Sequence, residues 1–417
     1  MWNAGNWTVR GLDGGLYHLQ PPGLPALVAV ALGIGEWLLP ERDPGIYVAA
    51  LLALVWTLAA HQLWRLAIDI TADRLAAMLF VGMILLSAPV YIGGYQLFPE
   101  SLALLLFPWL YRNLRGQEAS LTPLMGAACG LVTGYLLWIH PKLTLIAAFF
   151  FVMAILRPAT SVAAKALFVA AFALVAFTSL LYCHHISGLF RPEGLYIRQA
   201  EEYVGSPNPF SLRFVAGLVK GLVGGRDGLF VFAPILVLGV VATSLRTWFT
   251  RVSVELAALF VLVWFTSAVH DGASLGSPAR LLAPVVFIPA LFLVRTLQED
   301  GRPQLKAAAL WLFILGCGIT AGMSSDWRKN VNPYRSMFAG AETNFEPSLP
   351  GNSFSDAAYV VDIEKGVLIL VLAVICGIGL TRSASDEPLN ATPALFGLGV
   401  LGLVTLLSVT LRWLTPS

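Results

Sequence analysis

The chain has 417 residues, of which 57% are hydrophobic and only 12% are charged, and its formal net charge is +2. Soluble domains carry about twice this charged fraction, so the composition excludes an ordinary water-soluble globule. Lys and Arg stand in short groups between apolar runs and form no continuous basic patch, so nucleic acid is not an expected partner. The composition predicts an all-α, polytopic integral membrane protein.

Apolar runs long enough for transmembrane helices recur along the chain. Crossing the hydrocarbon core takes about 20 apolar residues per helix, and on this criterion we expect about twelve spans with additional interfacial helices. The predicted spans are 46–64, 76–95, 98–111, 122–139, 141–156, 166–186, 229–249, 253–269, 281–297, 306–323, 366–381 and 393–411.

The distribution of cations predicts the orientation, because Lys and Arg in short loops stay on the cytoplasmic side. Alternate connections contain groups such as Arg65 with Arg74 and Arg112 with Arg115, and we place these inside. The intervening connections carry at most one cation each or are long, and we place them outside. The expected location is the plasma membrane, in bacteria the inner membrane.

Four regions follow from this orientation. The apolar run 23–39 is short, carries Glu36 and is bounded by prolines, so we interpret it as an interfacial helix on the outer surface. The predicted regions are an external loop with this helix at 1–45, a transmembrane core at 46–323 with an external loop at 187–228, an external loop or cap at 324–365, and two C-terminal transmembrane helices at 366–417.

Ionisable residues are scarce inside the predicted spans, which counts against a solute transporter, since transporters usually hold such groups at mid-membrane. Polar residues gather instead at the helix ends and loops assigned to the external face. They are Asp13, His18, Glu100, His140, Lys142, Arg226, Asp227, His270, Asp271 and Arg280.

This external face has the chemistry of an anion site. Helices predicted to start at Pro99 and Pro141 would direct their positive N-terminal ends toward it. Lys142, Arg226 and Arg280 would add cations, and Arg offers a two-pronged donor that matches phosphate. A lipid-linked phosphate fits this combination.

Each of these residues also has a structural interpretation. Glu100 fits as a first-turn acid that interacts with a helix dipole. His140 fits as the cap of the helix that follows it. Arg226 and Asp227 can form an interfacial ion pair, and Arg280 can be an anchor at the membrane surface.

Five stretches follow one another between residue 13 and about residue 300. They are Asp-Gly-Gly-Leu-Tyr-His-Leu-Gln-Pro-Pro-Gly-Leu-Pro at 13–25, Tyr-Gln-Leu-Phe-Pro-Glu at 95–100, Trp-Ile-His-Pro-Lys at 138–142, Gly-Arg-Asp-Gly-Leu-Phe-Val-Phe-Ala-Pro at 225–234 and Gly-Ser-Pro-Ala-Arg-Leu-Leu-Ala-Pro at 276–284. As an ordered set they resemble the multi-spanning glycosyltransferases of the GT-C class, which includes protein O-mannosyltransferases and the enzymes that add aminoarabinose to lipid A.

The resemblance implies sugar transfer on the non-cytoplasmic face from a polyprenyl-phosphate donor to a lipid or glycan acceptor, without a nucleotide donor and often with a divalent metal such as Mg²⁺ or Mn²⁺. By similarity, Lys142, Arg226 and Arg280 would contact the donor phosphate. Glu100 and His140 would shape the acceptor or metal site. Our candidate catalytic residues are Asp13 and Glu100, and our candidate substrate residues are His18, His140, Asp227, His270 and Asp271.

The same resemblance places a catalytic acid in the first external loop, after a first span and upstream of the Pro-Pro-Gly stretch. Only twelve residues precede Asp13 and none is acidic. We therefore expect a first span to be missing, and the base to be lost, encoded upstream or replaced by Asp13. The alternative function is a non-catalytic pseudoenzyme of the same fold that binds or moves polyprenyl-linked glycans.

Overall fold

The structure is a computed structural model of the whole chain. The residues that it describes are 8–18, 21–40, 42–93, 98–115, 121–157, 160–197, 212–223, 228–241, 251–269, 280–299 and 303–330. The predicted spans 366–381 and 393–411 lie outside these residues. So do residues 331–365 of the predicted loop or cap 324–365, and residues 198–211 and 224–227 of the predicted loop 187–228.

The described residues are mainly helical, which confirms the α-helical class, and a small β-hairpin near the N-terminus is the exception. The hairpin pairs β1 (Thr8–Arg10) with β2 (Leu16–His18) in antiparallel register. The α-helices that follow are α1 (Gly23–Leu38), α2 (Pro44–Thr71), α3 (Arg74–Leu85), α4 (Ala88–Gly93), α5 (Pro99–Arg115), α6 (Pro123–Ile139), α7 (Thr144–Leu156), α8 (Val162–Ser187), α9 (Leu212–Val223), α10 (Leu229–Phe232), α11 (Ile235–Val241), α12 (Arg251–Val269), α13 (Phe287–Glu299) and α14 (Pro303–Asn330). Short 3₁₀ turns at Pro141–Leu143 and Arg280–Val285 precede α7 and α13.

Two spans that the hydropathy predicts as single helices are interrupted near prolines. The run 76–95 divides into α3 and α4 before Pro89, and the run 229–249 divides into α10 and α11 before Ile235, next to Pro234. Proline has no N–H to donate and its ring clashes with the preceding turn, so each helix ends there and a new one starts. A hydropathy scan averages over such breaks and does not detect them.

Two of the described helices, α2 and α8, are long and apolar enough to cross a membrane by length and composition. Six shorter apolar helical segments accompany them, among them α1, α3 and α6. The remaining predicted spans, and the membrane itself, stay a prediction at this point.

The chain forms two compact units. Unit 1 contains residues 1–66 and 97–209, and unit 2 contains residues 67–96 and 210–417. The four regions predicted from the sequence divide the chain by position relative to a membrane, and they stay a prediction.

In unit 1, helices α6 and α8 pack closely against each other. A Cβ atom added at Gly126 or Gly130 would overlap the carbonyl oxygen of Ala164 or Phe168, so only glycine permits this approach. Small residues four apart are typical of tightly packed helix pairs in membranes. The side chains of Thr122 and Ser161 cap the N-termini of the two helices.

Unit 2 has its own apolar cluster, built from α4, α9, α10 and neighbouring residues. Its buried members are Ala88, Val219, Val223, Val231 and Phe232. Hydrogen bonds from two polar side chains connect the elements around this cluster. The indole N–H of Trp264 in α12 donates to the Leu218 carbonyl at 2.7 Å, and the Thr320 hydroxyl in α14 donates to the Leu86 carbonyl at 3.1 Å.

Candidate functional site

An ion pair between Glu100 and Lys142 is buried in unit 1. The two residues are only 4% and 7% exposed, and the Lys142 ammonium donates to Glu Oε1. Glu100 lies in the first turn of α5, which begins at Pro99 because proline suits the first helical turn. Lys142 lies in the 3₁₀ turn just before α7. The N-terminal ends of α5 and α7 therefore meet at this pair.

His140 joins α6 to the turn that carries Lys142. Its Nδ1 accepts from the Lys142 backbone N–H at 3.2 Å, so His140 caps this turn as the sequence suggested. The ring of a neutral His140 then carries its proton on Nε2. That N–H donates to the Tyr196 hydroxyl at 3.3 Å, and the two rings lie 5.8 Å apart.

We call Glu100, His140, Lys142 and Tyr196 the paired end of unit 1. Opposite charges in a low-dielectric site attract strongly, but each charge loses its hydration. Removing one partner from such a pair typically costs about 3–5 kcal/mol, because the other charge stays buried and uncompensated. The ion pair fixes the N-terminal ends of α5 and α7 against each other. While the pair is intact, each charge is neutralised by the other.

Asp13 lies in the exposed turn of the N-terminal hairpin. Its carboxylate accepts from the Tyr17 hydroxyl at 2.5 Å and from the Gly15 backbone N–H at 2.9 Å. The Tyr17 hydroxyl, followed by the Gly15 N–H, holds the pKa of Asp13 below its usual value. Asp13 is therefore ionised at neutral pH, and its first evident role is to shape the turn.

The hairpin is fastened to the C-terminal end of α8. The Leu12 backbone N–H donates to the Ile186 carbonyl at 2.9 Å. Buried Ile186 and Leu195 form a small cluster on which Tyr17 and Tyr196 also pack. Through Tyr196, this cluster connects the hairpin that carries Asp13 to the paired end.

Sequence reasoning did not identify Tyr196 as a site residue. Both Tyr17 and Tyr196 pack on the same apolar cluster in unit 1. No local pattern in the sequence indicates this, because the contact forms only when the end of α8 and the segment after it fold together.

The structure brings together three of the ten predicted site residues in direct contact, namely Glu100, His140 and Lys142. His18 lies in β2 and Arg280 starts a 3₁₀ turn, but neither side chain is among those described. Four predicted residues lie outside the described ranges: Arg226, Asp227, His270 and Asp271.

A divalent metal has no evident place in the described part of the chain, where no three His, Cys, Asp or Glu side chains group in a way that could hold an ion. Glu100, which the resemblance assigns to an acceptor or metal site, is bound to Lys142. We therefore derive no chemical step through a metal.

Comparison with known proteins gives no family assignment. No model of a protein family matches this chain, and no curated protein matches its sequence.

Proposed function

We propose that this chain is a polytopic membrane protein that transfers a sugar from a polyprenyl-phosphate donor to an acceptor hydroxyl on the non-cytoplasmic face. The observation that carries the proposal is the buried Glu100–Lys142 pair at the meeting point of two helix N-termini, where His140 caps the turn that carries Lys142. Such a position combines a cation, helix dipoles and a carboxylate at the end of apolar helices.

The surface of the two longest apolar helices supports a membrane location. In their most apolar windows, only 17% of α2 and 22% of α8 are buried inside the protein. A core helix of a soluble protein would be mostly buried, and exposing this much apolar surface to water is unfavourable. Lipid chains would cover it without that cost.

Cations at the other ends of the same helices support the proposed orientation. We call Arg112, Arg115, Arg157 and Lys165 the basic end of unit 1. Helices α5 and α7 run from the paired end to this basic end, and at 1.5 Å per residue they are about 25 Å and about 20 Å long. By the positive-inside rule, these cations favour a cytoplasmic basic end and an external paired end.

The chemistry that we propose begins when the donor phosphate replaces Glu100 as the partner of Lys142. The released Glu100 carboxylate accepts the proton of the acceptor hydroxyl, which is general-base catalysis. The acceptor oxygen bonds to the anomeric carbon as the bond from that carbon to the phosphate oxygen breaks. Lys142 stabilises the negative charge on the departing polyprenyl phosphate.

Asp13 is the weaker candidate for the general base. A lowered pKa reduces the tendency of a carboxylate to take a proton, because catalytic bases work best with a pKa near the operating pH. We assign Asp13 to the shape of the hairpin above the paired end, and Glu100 to the proton transfer.

The non-catalytic alternative also has an observation in its favour. The closed pair occupies both charges, so neither Glu100 nor Lys142 can act on a substrate until the pair opens. A protein that only binds lipid-linked glycans would need Lys142 to exchange partners, but it would never use Glu100 as a base.

The test uses the full chain in lipid nanodiscs with a polyprenyl-phosphate sugar that is labelled in the sugar. Binding of the donor and transfer of the label to extracted membrane lipids and glycans are measured separately. We expect Lys142→Met to lose both, and Glu100→Gln to keep donor binding while losing transfer. The control is Lys306→Met, at an exposed lysine near the start of α14, and it should keep both.

Three results separate the functions. Transfer that depends on Glu100 supports the enzyme. Donor binding that depends on Lys142, with no transfer by the wild-type chain to any acceptor, favours the non-catalytic binder. Wild-type binding and transfer that both survive in Lys142→Met would refute the proposed site.

A further inference from the structure

The ring of His140 is held at both of its nitrogen atoms. Its Nδ1 accepts from the Lys142 backbone N–H at 3.2 Å, and its Nε2–H donates to the Tyr196 hydroxyl at 3.3 Å. The two nitrogens lie on a rigid ring, so the hydrogen bond at one of them constrains the orientation of the other. The two bonds together fix the ring between Tyr196 and the turn that carries Lys142.

The cap from His140 shapes the backbone that carries Lys142. His140 is extended, with φ −166° and ψ 137°, which is the conformation of a residue that caps the start of a helical turn. Its side chain supplies the acceptor that the first N–H groups of such a turn do not find within the turn itself. The position of the Lys142 ammonium beside Glu100 therefore depends on this cap.

The surroundings of His140 make the bond to Tyr196 matter. His140 is only 9% exposed, and a buried ring N–H that loses its acceptor costs free energy. Without the Tyr196 hydroxyl, the ring would gain by rotating toward another acceptor. Rotation of the ring moves Nδ1 away from the Lys142 N–H and weakens the cap.

Tyr196 is itself fixed by packing at the end of α8. It lies in the segment that follows α8, and its ring packs on the buried cluster of Ile186 and Leu195. The ring centroids of Tyr196 and His140 are 5.8 Å apart. Because the cluster belongs to the end of α8 and not to His140, Tyr196 can hold the histidine in place.

We propose that Tyr196 is a positioning residue for the phosphate of the donor. Its hydroxyl fixes the His140 ring, the ring caps the turn, and the turn directs the Lys142 ammonium. The link to the phosphate rests on the proposed function, whereas the effect on the turn does not. Tyr196 acts through His140 and takes no part in the transfer of the sugar.

Hydrogen exchange of the Lys142 amide tests the positioning in the full chain in nanodiscs, with mass spectrometry that resolves single residues. Tyr196→Phe keeps the ring and removes the hydroxyl, so we expect this amide to exchange roughly fivefold faster, the effect of losing one helix cap. Tyr182→Phe is the matched control, because Tyr182 packs on the same cluster but beside Trp138, with ring centroids 5.5 Å apart. Unchanged exchange in Tyr196→Phe, or an equal rise in Tyr182→Phe, would overturn the proposal.

His140→Asn separates positioning from a general effect on the fold. Asparagine is a favoured cap in the extended conformation, and its side-chain oxygen can accept from the Lys142 N–H without help from Tyr196. We therefore expect Tyr196→Phe to have no further effect on Lys142 exchange in the His140→Asn chain. A fivefold rise in that chain as well would assign Tyr196 to the stability of the fold and refute its action through His140.

Binding of a labelled polyprenyl-phosphate sugar to the same variants tests the link to the donor. The affinity should fall roughly fivefold in Tyr196→Phe and stay unchanged in Tyr182→Phe. Faster Lys142 exchange with unchanged donor affinity would remove Tyr196 from phosphate binding. If the wild-type chain binds no donor, the proposed function fails, and the exchange rates still decide whether Tyr196 positions the turn.

Discussion

The two ends of unit 1 use charge in different ways although the same helices connect them. At the paired end, Lys142 is buried against the carboxylate of Glu100. At the basic end, Arg157 donates to the Asn113 carbonyl at 2.5 Å and Lys165 to the Ile155 carbonyl. Backbone carbonyls at helix C-termini accept from cations without neutralising them.

The charges at the paired end therefore mainly stabilise the fold, whereas those at the basic end can also interact with another ion. A buried pair stabilises one arrangement and opens only when a competing ion replaces a partner. A cation held by a carbonyl keeps its positive field and can also attract an anion. We therefore expect substitutions at the paired end to affect stability strongly, and substitutions at the basic end to affect it weakly.

The largest effect is expected from breaking the pair. Glu100→Gln leaves the buried Lys142 uncompensated and should lower the free energy of unfolding by about 3–5 kcal/mol. The double variant Glu100→Gln with Lys142→Met removes both charges and should recover a large part of that loss. Lys165→Met at the basic end should cost about 1 kcal/mol or less. Unfolding in detergent compares these three variants with the wild type, and equal losses for Glu100→Gln and Lys165→Met would contradict the difference between the ends.

A smaller effect concerns the α6–α8 contact that runs between the two ends. Gly130→Ala forces a methyl group onto the Phe168 carbonyl and should destabilise the protein by about 1–3 kcal/mol. Gly33→Ala in α1 is the matched control, since a Cβ there meets nothing within 4 Å. The control should stabilise by about 0.5–1 kcal/mol through helix propensity. Similar melting temperatures for the two variants would show that the close approach is not required.

The smallest effect concerns Asp13 beside the paired end. The Tyr17 hydroxyl lowers its pKa, so the ionised carboxylate stabilises the hairpin at neutral pH, and that contribution is lost as the pH falls through the lowered folded-state value. Tyr17→Phe should raise the pKa of Asp13 toward its ordinary value near 3.9. Infrared difference spectra against Asp13→Asn follow the carboxyl band during acidification. An unchanged midpoint in Tyr17→Phe would remove Tyr17 as the cause.

Helix starts were the part of the site that the sequence could predict. Pro99 and Pro141 marked the starts of helical segments, and His140 was recognised as a possible cap, because these effects act within a few residues. Glu100 was placed correctly in a first turn for the same reason. Local chemistry is visible in the order of residues along the chain.

The contacts between the residues of the site could not be predicted in the same way. Glu100 and Lys142 are 42 residues apart, and the sequence analysis assigned Lys142 to a donor phosphate and not to Glu100. The contact of Tyr196 with His140 spans 56 residues. Such contacts depend on how α5, α6 and α8 pack. Gly130 allows one close approach between helices, but this is evident only when the position of the partner helix is known.

The most direct measurement is the side of the membrane on which each end lies. Single cysteines are introduced into a variant in which all native cysteines are replaced. Leu12→Cys tests the hairpin beside the paired end, and Leu124→Cys tests the basic end. The Leu12 side chain is 59% exposed and the Leu124 side chain is 81% exposed. We expect a membrane-impermeant maleimide to label Leu12→Cys on intact spheroplasts, and Leu124→Cys only after permeabilisation. Labelling of both positions from the same side, or the reverse order, would contradict an external paired end.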